Sequence, residues 1–212
     1  MAASLSALLK RATLDDHDEI LKAANETLKQ SKSDTTAQHA RVVAYLKTDR
    51  YDEALRAFSS GGDSLKAKAP LEWAYTLYRT EQLEHADRIL SQDLHTRGAA
   101  LLQAQTAYRL ERFSRAEGIY KALAAHGPSV PSEETDLRIN RGAIDAQAAW
   151  AGQLPTGSKP KISSADLERF DMAFNAACST LARGEYKQAE FLLGRAKGTF
   201  TCAICVAAAN GQ

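Results

Sequence analysis

Along this chain, a bulky hydrophobic residue is repeatedly followed three positions later by alanine, in a setting typical of the first turn of an amphipathic helix. The pairs are Tyr51 with Ala54, Leu83 with Ala86, Phe113 with Ala116, and Tyr186 with Ala189. Ala54 and Ala86 are 32 residues apart, and Ala86 and Ala116 are 30 residues apart. An internal repeat with this period indicates a stack of similar units, each a pair of antiparallel helices.

Two further positions of the repeat agree with this interpretation. Four residues after each alanine comes a bulky side chain, at Phe58, Leu90, Tyr120 and Leu193. Twelve residues before each alanine comes a residue expected to pack between helices, at Val42, Ala74, Ala104 and Ala177. These positions are typical of tetratricopeptide (TPR) repeats. They predict an all-α fold, a TPR-type α-solenoid of about five antiparallel helix pairs, one of them degenerate.

The same periodicity predicts the individual helices. They cover 3–12, 15–30, 35–48, 51–59, 66–80, 83–92, 96–110, 113–126, 132–151, 165–182 and 185–197. Because Ala116 and Ala189 are 73 residues apart, one degenerate unit must lie between them. Its first helix is 132–151, and a loop over 152–164 replaces its second helix, either as a functional segment or as a tolerated insertion. We expect a TPR-like repeat domain over 1–200 and an atypical tail over 201–212.

In a TPR stack, the first helix of each unit lines the concave surface, where extended or helical peptides bind. The register of the repeat therefore assigns a set of side chains to a peptide-binding groove. They are His39, Val43, Leu46, Leu71, Tyr75, Tyr78, Arg79, Leu101, Gln105, Tyr108, Arg109 and Phe174. This groove is predominantly aromatic and apolar.

Two adjacent units carry the same pair of groove residues, Tyr78-Arg79 and Tyr108-Arg109. Stacked units would align these pairs as a ladder of phenols and guanidiniums, and both residue types are enriched at binding hot spots. The alternative is that the tyrosines pack between helices and the arginines are solvated. The pattern leaves both interpretations open.

Composition limits the functions that such a groove could serve. The formal net charge is +1, whereas dedicated nucleic-acid binders carry a clear basic excess. No P-loop, dinucleotide-binding or zinc-protease motif occurs, the five histidines are scattered, and Cys202 and Cys205 lack the second pair that zinc needs. We therefore expect no enzyme activity, no cofactor and no metal. With no secretory signal, no apolar run that could span a membrane and no disulfide framework, a cytoplasmic setting is favoured.

Three segments make the comparison more specific. They are Ala104 to Phe113, Asp145 to Trp150 just before the loop, and Asn175 to Ser179. Together with the lone helix that ends in tryptophan, they resemble the N-terminal region of the family of 72-kDa proteins of the signal recognition particle, from about residue 8 to about residue 200. The last twelve residues depart from that family, which continues with further helical repeats.

The resemblance implies a partner and a role. The groove would bind the C-terminal segment of the particle's 68-kDa protein, for particle assembly and for co-translational targeting to the endoplasmic reticulum. RNA and ribosome would be contacted only through the full-length protein or the particle, since the family's Lys-rich segment is absent here. The chain would then be an N-terminal piece of a longer protein.

The alternative function is that of a chaperone adaptor, a TPR protein that clamps the acidic C-terminal tail of a heat-shock protein. Such a clamp needs several Lys, Arg and Asn residues in the groove. Here the basic residues at or directly next to these groove positions are Lys47, Arg79 and Arg109. The aromatic and apolar character of the other positions makes the first function the better prediction.

Overall fold

The computed structural model describes residues 17–92, 95–154, 163 and 167–209, with side chains as far as residue 199. Within this part of the chain the regular structure is helical. The helices are α1 (His17–Gln30), α2 (Thr35–Lys47), α3 (Tyr51–Lys68), α4 (Pro70–Arg79), α5 (Leu83–Leu90), α6 (Arg97–Arg109), α7 (Phe113–Ala125), α8 (Glu133–Trp150), α9 (Phe170–Ala182) and α10 (Tyr186–Ala209).

Helices that follow one another in the chain pack against one another. This holds from α1 to α5 and again from α7 to α10. The chain divides into two compact units, Met1–Thr106 and Ala107–Gln212. The predicted all-α architecture of sequentially packed helix pairs is confirmed, while the domain boundary predicted at residue 200 stays a prediction. No helix among the described residues is both long and apolar enough to cross a membrane.

The alanines that define the repeat are core residues. Ala54, Ala86, Ala116 and Ala189 are all buried. The residues twelve positions earlier, Val42, Ala74, Ala104 and Ala177, are buried as well. Small side chains at both positions let neighbouring helices approach closely, because a core packed at crystal density has no room for extra methylenes. The predicted register is therefore confirmed in both units.

The bulky position four residues after the alanine is confirmed in three copies and wrong in the fourth. Phe58, Leu90 and Tyr120 are buried, but Leu193 is 42% exposed. In α10 the core face is formed by Ala189, Leu192 and Ala196 instead. Their spacing of three and four residues keeps them on one side of the helix and turns Leu193 away from it.

Several helix bounds in the structure differ from the predicted ones. The helix predicted to begin at residue 66 begins at Pro70, and α3 extends to Lys68 through a kink at Gly62, whose φ is 65°. Ala69 is non-helical because it precedes proline, which disfavours the helical region for the residue before it. The last helix continues past residue 197 to Ala209, since neither glycine nor proline occurs between Gly198 and Ala209. The predicted helix 3–12 lies outside the described residues.

The turn between the two helices of a pair repeats one unusual backbone conformation. Five residues before the repeat alanine, Asp49, Glu81 and Glu111 have φ values of 57°, 63° and 58°, and Gly184 has φ of 77°. Residues with a Cβ avoid this left-handed region, whereas glycine enters it freely. Three of the four turns thus carry local strain that the fourth avoids.

We expect Glu111→Gly to raise the free energy of unfolding by about 0.5–1 kcal/mol, since it removes the Cβ from a left-handed turn. Glu111→Ala is the matched control, because it removes the carboxylate and keeps the Cβ, and it should give no such gain. Gly184→Ala should do the reverse and cost about 1 kcal/mol. Urea unfolding followed by circular dichroism measures all three. An equal gain from Glu111→Ala would show that the carboxylate, not the turn, is responsible.

Candidate functional site

The first compact unit contains an open, largely apolar cavity of about 350 Å³. It is lined by Leu46, Leu71, Glu72, Tyr75, Gly98, Leu101, Leu102 and Gln105. These residues belong to α2, α4 and α6, which are the first helices of three successive pairs. We call this cavity and its lining residues the first-helix groove.

The repeat register explains why these three helices share a surface. Ala74 of α4 is packed in one hydrophobic cluster with Leu90 of α5 and with Ala99 and Leu102 of α6. The Gln103 side-chain amide also donates to the Leu90 carbonyl at 3.1 Å, which ties α6 to the end of α5. With the small and core residues directed inward, the other faces of α4 and α6 border the cavity.

Five of the twelve predicted groove residues line this cavity, namely Leu46, Leu71, Tyr75, Leu101 and Gln105. Glu72, Gly98 and Leu102 line it as well and were not predicted. Gly98 contributes by lacking a side chain, and a Cβ added there would meet only the Leu71 side chain, at 3.7 Å. Glycine in the first turn of a helix was a signal that could have indicated a close approach at this point.

The end of α4 forms an aromatic cluster around one cation. The Arg79 guanidinium lies 3.9 Å from the centre of the Tyr51 ring, and it donates to the Tyr75 hydroxyl at 2.9 Å. The Tyr51 and Tyr75 rings meet edge to face, and Tyr78 stacks on Tyr75. Burial and a hydrogen bond donated to Asp49 raise the pKa of the Tyr51 hydroxyl well above its usual value. The phenol is therefore neutral, and its ring face is available to the cation.

The beginning of α4 carries the opposite charge. His39 of α2 donates to the Glu72 carboxylate across a distance of 3.1 Å, and both side chains are about one-third exposed. This hydrogen bond lowers the pKa of Glu72 below its usual value, so the carboxylate is ionised at neutral pH. Glu72, Tyr75 and Arg79 follow one another at helical spacings of three and four residues, so this face of α4 carries a negative charge near its beginning and a positive charge at its end.

The remaining predicted residues have other positions. Val43 is half-buried on α2, and Tyr78 packs against the cores on both sides of α4. Tyr108, Arg109 and Phe174 belong to the second unit. There the Tyr108 ring contacts Phe113, and Phe174 stacks on Phe170. The packing of both tyrosines matches the structural alternative for these residues, while the predicted ladder of the two Tyr-Arg pairs stays a prediction.

Packed helix pairs whose first helices line an apolar groove define a TPR-like scaffold, a non-catalytic class of protein. The chain belongs to the SRP_TPR_like family, since the model of this TPR-like repeat family matches residues 13–147.

Curated relatives cover most of the chain at moderate identity. Signal recognition particle subunit SRP72 of Canis lupus familiaris is 27% identical over 86% of the chain, and that of Homo sapiens is likewise 27% identical over 86%. The subunit of Schizosaccharomyces pombe is 29% identical over 83% of the chain. The chain spans about a quarter of the length of these relatives, 26% to 28%. The predicted resemblance to the 72-kDa protein family is confirmed.

Proposed function

We propose that this chain is a non-catalytic assembly module of the signal recognition particle, and that its first-helix groove binds a segment of another particle protein. The proposed segment is the C-terminal part of the 68-kDa protein. The observation that carries the proposal is the cavity itself: the first helices of three pairs jointly line it, and five of its eight lining residues are at positions that the repeat register assigned to peptide binding. Apolar cavities with a few placed polar groups are the usual form of a binding site.

The test is a calorimetric titration of the chain with two peptides. One is the C-terminal segment of the 68-kDa protein, and the other is an acidic tail of the EEVD type. Saturable binding of the first alone supports the proposal. Binding of the acidic tail alone would make the chain a chaperone adaptor instead.

We expect Gly98→Leu to weaken binding of the 68-kDa segment about tenfold or more, because the added side chain occupies the cavity. A tenfold loss of affinity corresponds to only about 1.4 kcal/mol of binding free energy. The fold should tolerate the change, because leucine is a better helix former than glycine and the atom nearest to an added Cβ lies at 3.7 Å. Calorimetry measures the affinity, and circular dichroism measures the helix content.

Gly118→Leu is the matched control for this substitution. Gly118 is an exposed residue of α7 in the second unit, and a Cβ added there would meet no atom within 4 Å. The same change there should leave affinity unaltered. Equal affinity of the Gly98→Leu variant and the wild-type chain would place the binding surface outside the first-helix groove.

A further inference from the structure

The first-helix groove and the Arg79 cluster share one side chain. The Tyr75 ring lines the cavity, and the Tyr75 hydroxyl accepts the hydrogen bond from Arg79. The Arg79 guanidinium lies 5.8 Å from the centre of that ring. An apolar cavity and an oriented cation thus have Tyr75 as a common neighbour.

Within the part of the chain that the structure describes, no carboxylate forms a direct ion pair with the Arg79 cation. It contacts the faces of two tyrosine rings and one phenol hydroxyl, and its side chain is exposed. Asp49 adds to the field around Arg79, but its carboxylate accepts a hydrogen bond from the Tyr51 hydroxyl. A guanidinium has five N–H donors in a planar fork that matches a carboxylate. Stacking on Tyr51 fixes the fork before any ligand arrives, which reduces the entropy lost on binding.

We propose that the first-helix groove recognises a segment in which a single carboxylate closely precedes or follows a bulky apolar residue. This inference rests on the proposed function. The apolar side chain enters the cavity, and the carboxylate pairs with Arg79. Since Tyr75 both lines the cavity and accepts the hydrogen bond from Arg79, and an extended chain advances about 3.3 Å per residue, we expect the two residues about one or two positions apart.

The opposite end of α4 sets a limit on the partner's charge. The ionised Glu72 carboxylate lies about 10 Å from Arg79 along the helix, at about 1.5 Å per residue. A segment with acidic residues on both sides of its apolar anchor would be repelled at Glu72 while being attracted at Arg79. The groove therefore selects one carboxylate beside an apolar residue and disfavours a run of acidic residues.

A phage-displayed library of random dodecapeptides, selected on the whole chain, tests this inference. We expect enriched peptides to carry Asp or Glu one or two positions from Leu, Ile, Met or Phe, with no acidic residue on the other side of that anchor. Selection on the Arg79→Gln variant should keep the apolar preference and lose the acidic one. Recovery of peptides without an acidic preference, the same preference on Arg79→Gln, or no enrichment would overturn the inference.

Affinities of one enriched peptide, made synthetically, give the second readout. Arg79→Gln should weaken its binding about tenfold, consistent with loss of a charge-assisted contact. Arg79→Lys should recover only part of the loss, because an ammonium lacks the planar fork. Arg56→Gln is the matched control: Arg56 is 72% exposed on α3 and lies outside the groove. Equal weakening by Arg56→Gln would attribute the effect to net charge and overturn the inference.

The titration with the 68-kDa segment remains a separate test. If that segment binds and the library shows no acidic preference, the proposed function stands and this inference fails. If the library shows the expected pairing and the 68-kDa segment does not bind, the groove has this specificity and the proposed partner is wrong.

Discussion

Phe58→Ala is expected to lower the free energy of unfolding by about 3–5 kcal/mol, the cost typical of removing a buried phenylalanine ring. Phe58 is fully buried between α3 and its neighbours, and its ring lies 4.9 Å from the Trp73 ring of α4. The same cluster contains Val42, Leu65 and Leu77, which join three successive helices. The helices are held by the repeat alanines on both sides, so they cannot close fully over the cavity that alanine would leave.

Trp73 provides a local readout for this prediction. The chain has two tryptophans, and the Trp150→Phe background makes the buried Trp73 the sole indole. The fluorescence of Trp73, followed in urea, should show that the Phe58→Ala variant unfolds at a lower urea concentration. Phe191→Ala removes the same atoms from a side chain that is 61% exposed, and it should cost less than about 1 kcal/mol. Losses of similar size for the two variants would show that Phe58 is not central to the stability of this core.

The sequence could predict the helix pairs because their packing imposes a steric requirement at fixed positions. A close crossing tolerates only small side chains, so Ala54, Ala86 and Ala116 recur at the spacing of the repeat. The bounds were less predictable. The start of α4 depends on Pro70 and on the extended backbone that proline imposes on Ala69, a local effect that hydrophobic periodicity does not report.

The sequence predicted five of the eight residues that line the groove, because the repeat register reports positions along each helix. A register identifies which helical positions face the groove, and Leu71, Tyr75 and Leu101 follow it. It cannot identify contacts between helices, such as the Arg79 guanidinium lying over the Tyr51 ring of α3. It also overlooks Gly98, whose contribution is the space left by a missing side chain.

Two of the segments that resemble the family make contacts between α8 and α9. The Asn175 side-chain amide donates to the Ile139 carbonyl at 3.2 Å, and a Cβ added at Gly142 would lie only 3.4 Å from the Asn175 Cβ. Ser179 of α9 donates to the Asp145 carboxylate of α8. These contacts fix α8 directly against α9.

Asp145→Ala is expected to lower the free energy of unfolding of the second unit by about 2–4 kcal/mol, the cost of leaving a mostly buried charge without its partner. Asp145 accepts from Arg183 at 3.0 Å and from the buried Ser179 hydroxyl, and the Arg183 side chain is only 14% exposed. Asp145→Asn should cost about half as much, because the amide keeps an acceptor for Ser179 and loses the charge.

Hydrogen exchange in α9 and α10, together with urea unfolding, measures the effect of both Asp145 variants. The control is Glu26→Ala, which breaks the shorter ion pair of Glu26 with Lys29, at 2.6 Å, between side chains that are 64% and 71% exposed. Exposed pairs contribute only about 0–1 kcal/mol, because water and salt screen them. If burial rather than distance determines the strength of these pairs, Asp145→Ala accelerates exchange throughout α9 and Glu26→Ala leaves it unchanged. Equal losses of stability for the two variants would contradict a locking role for Asp145.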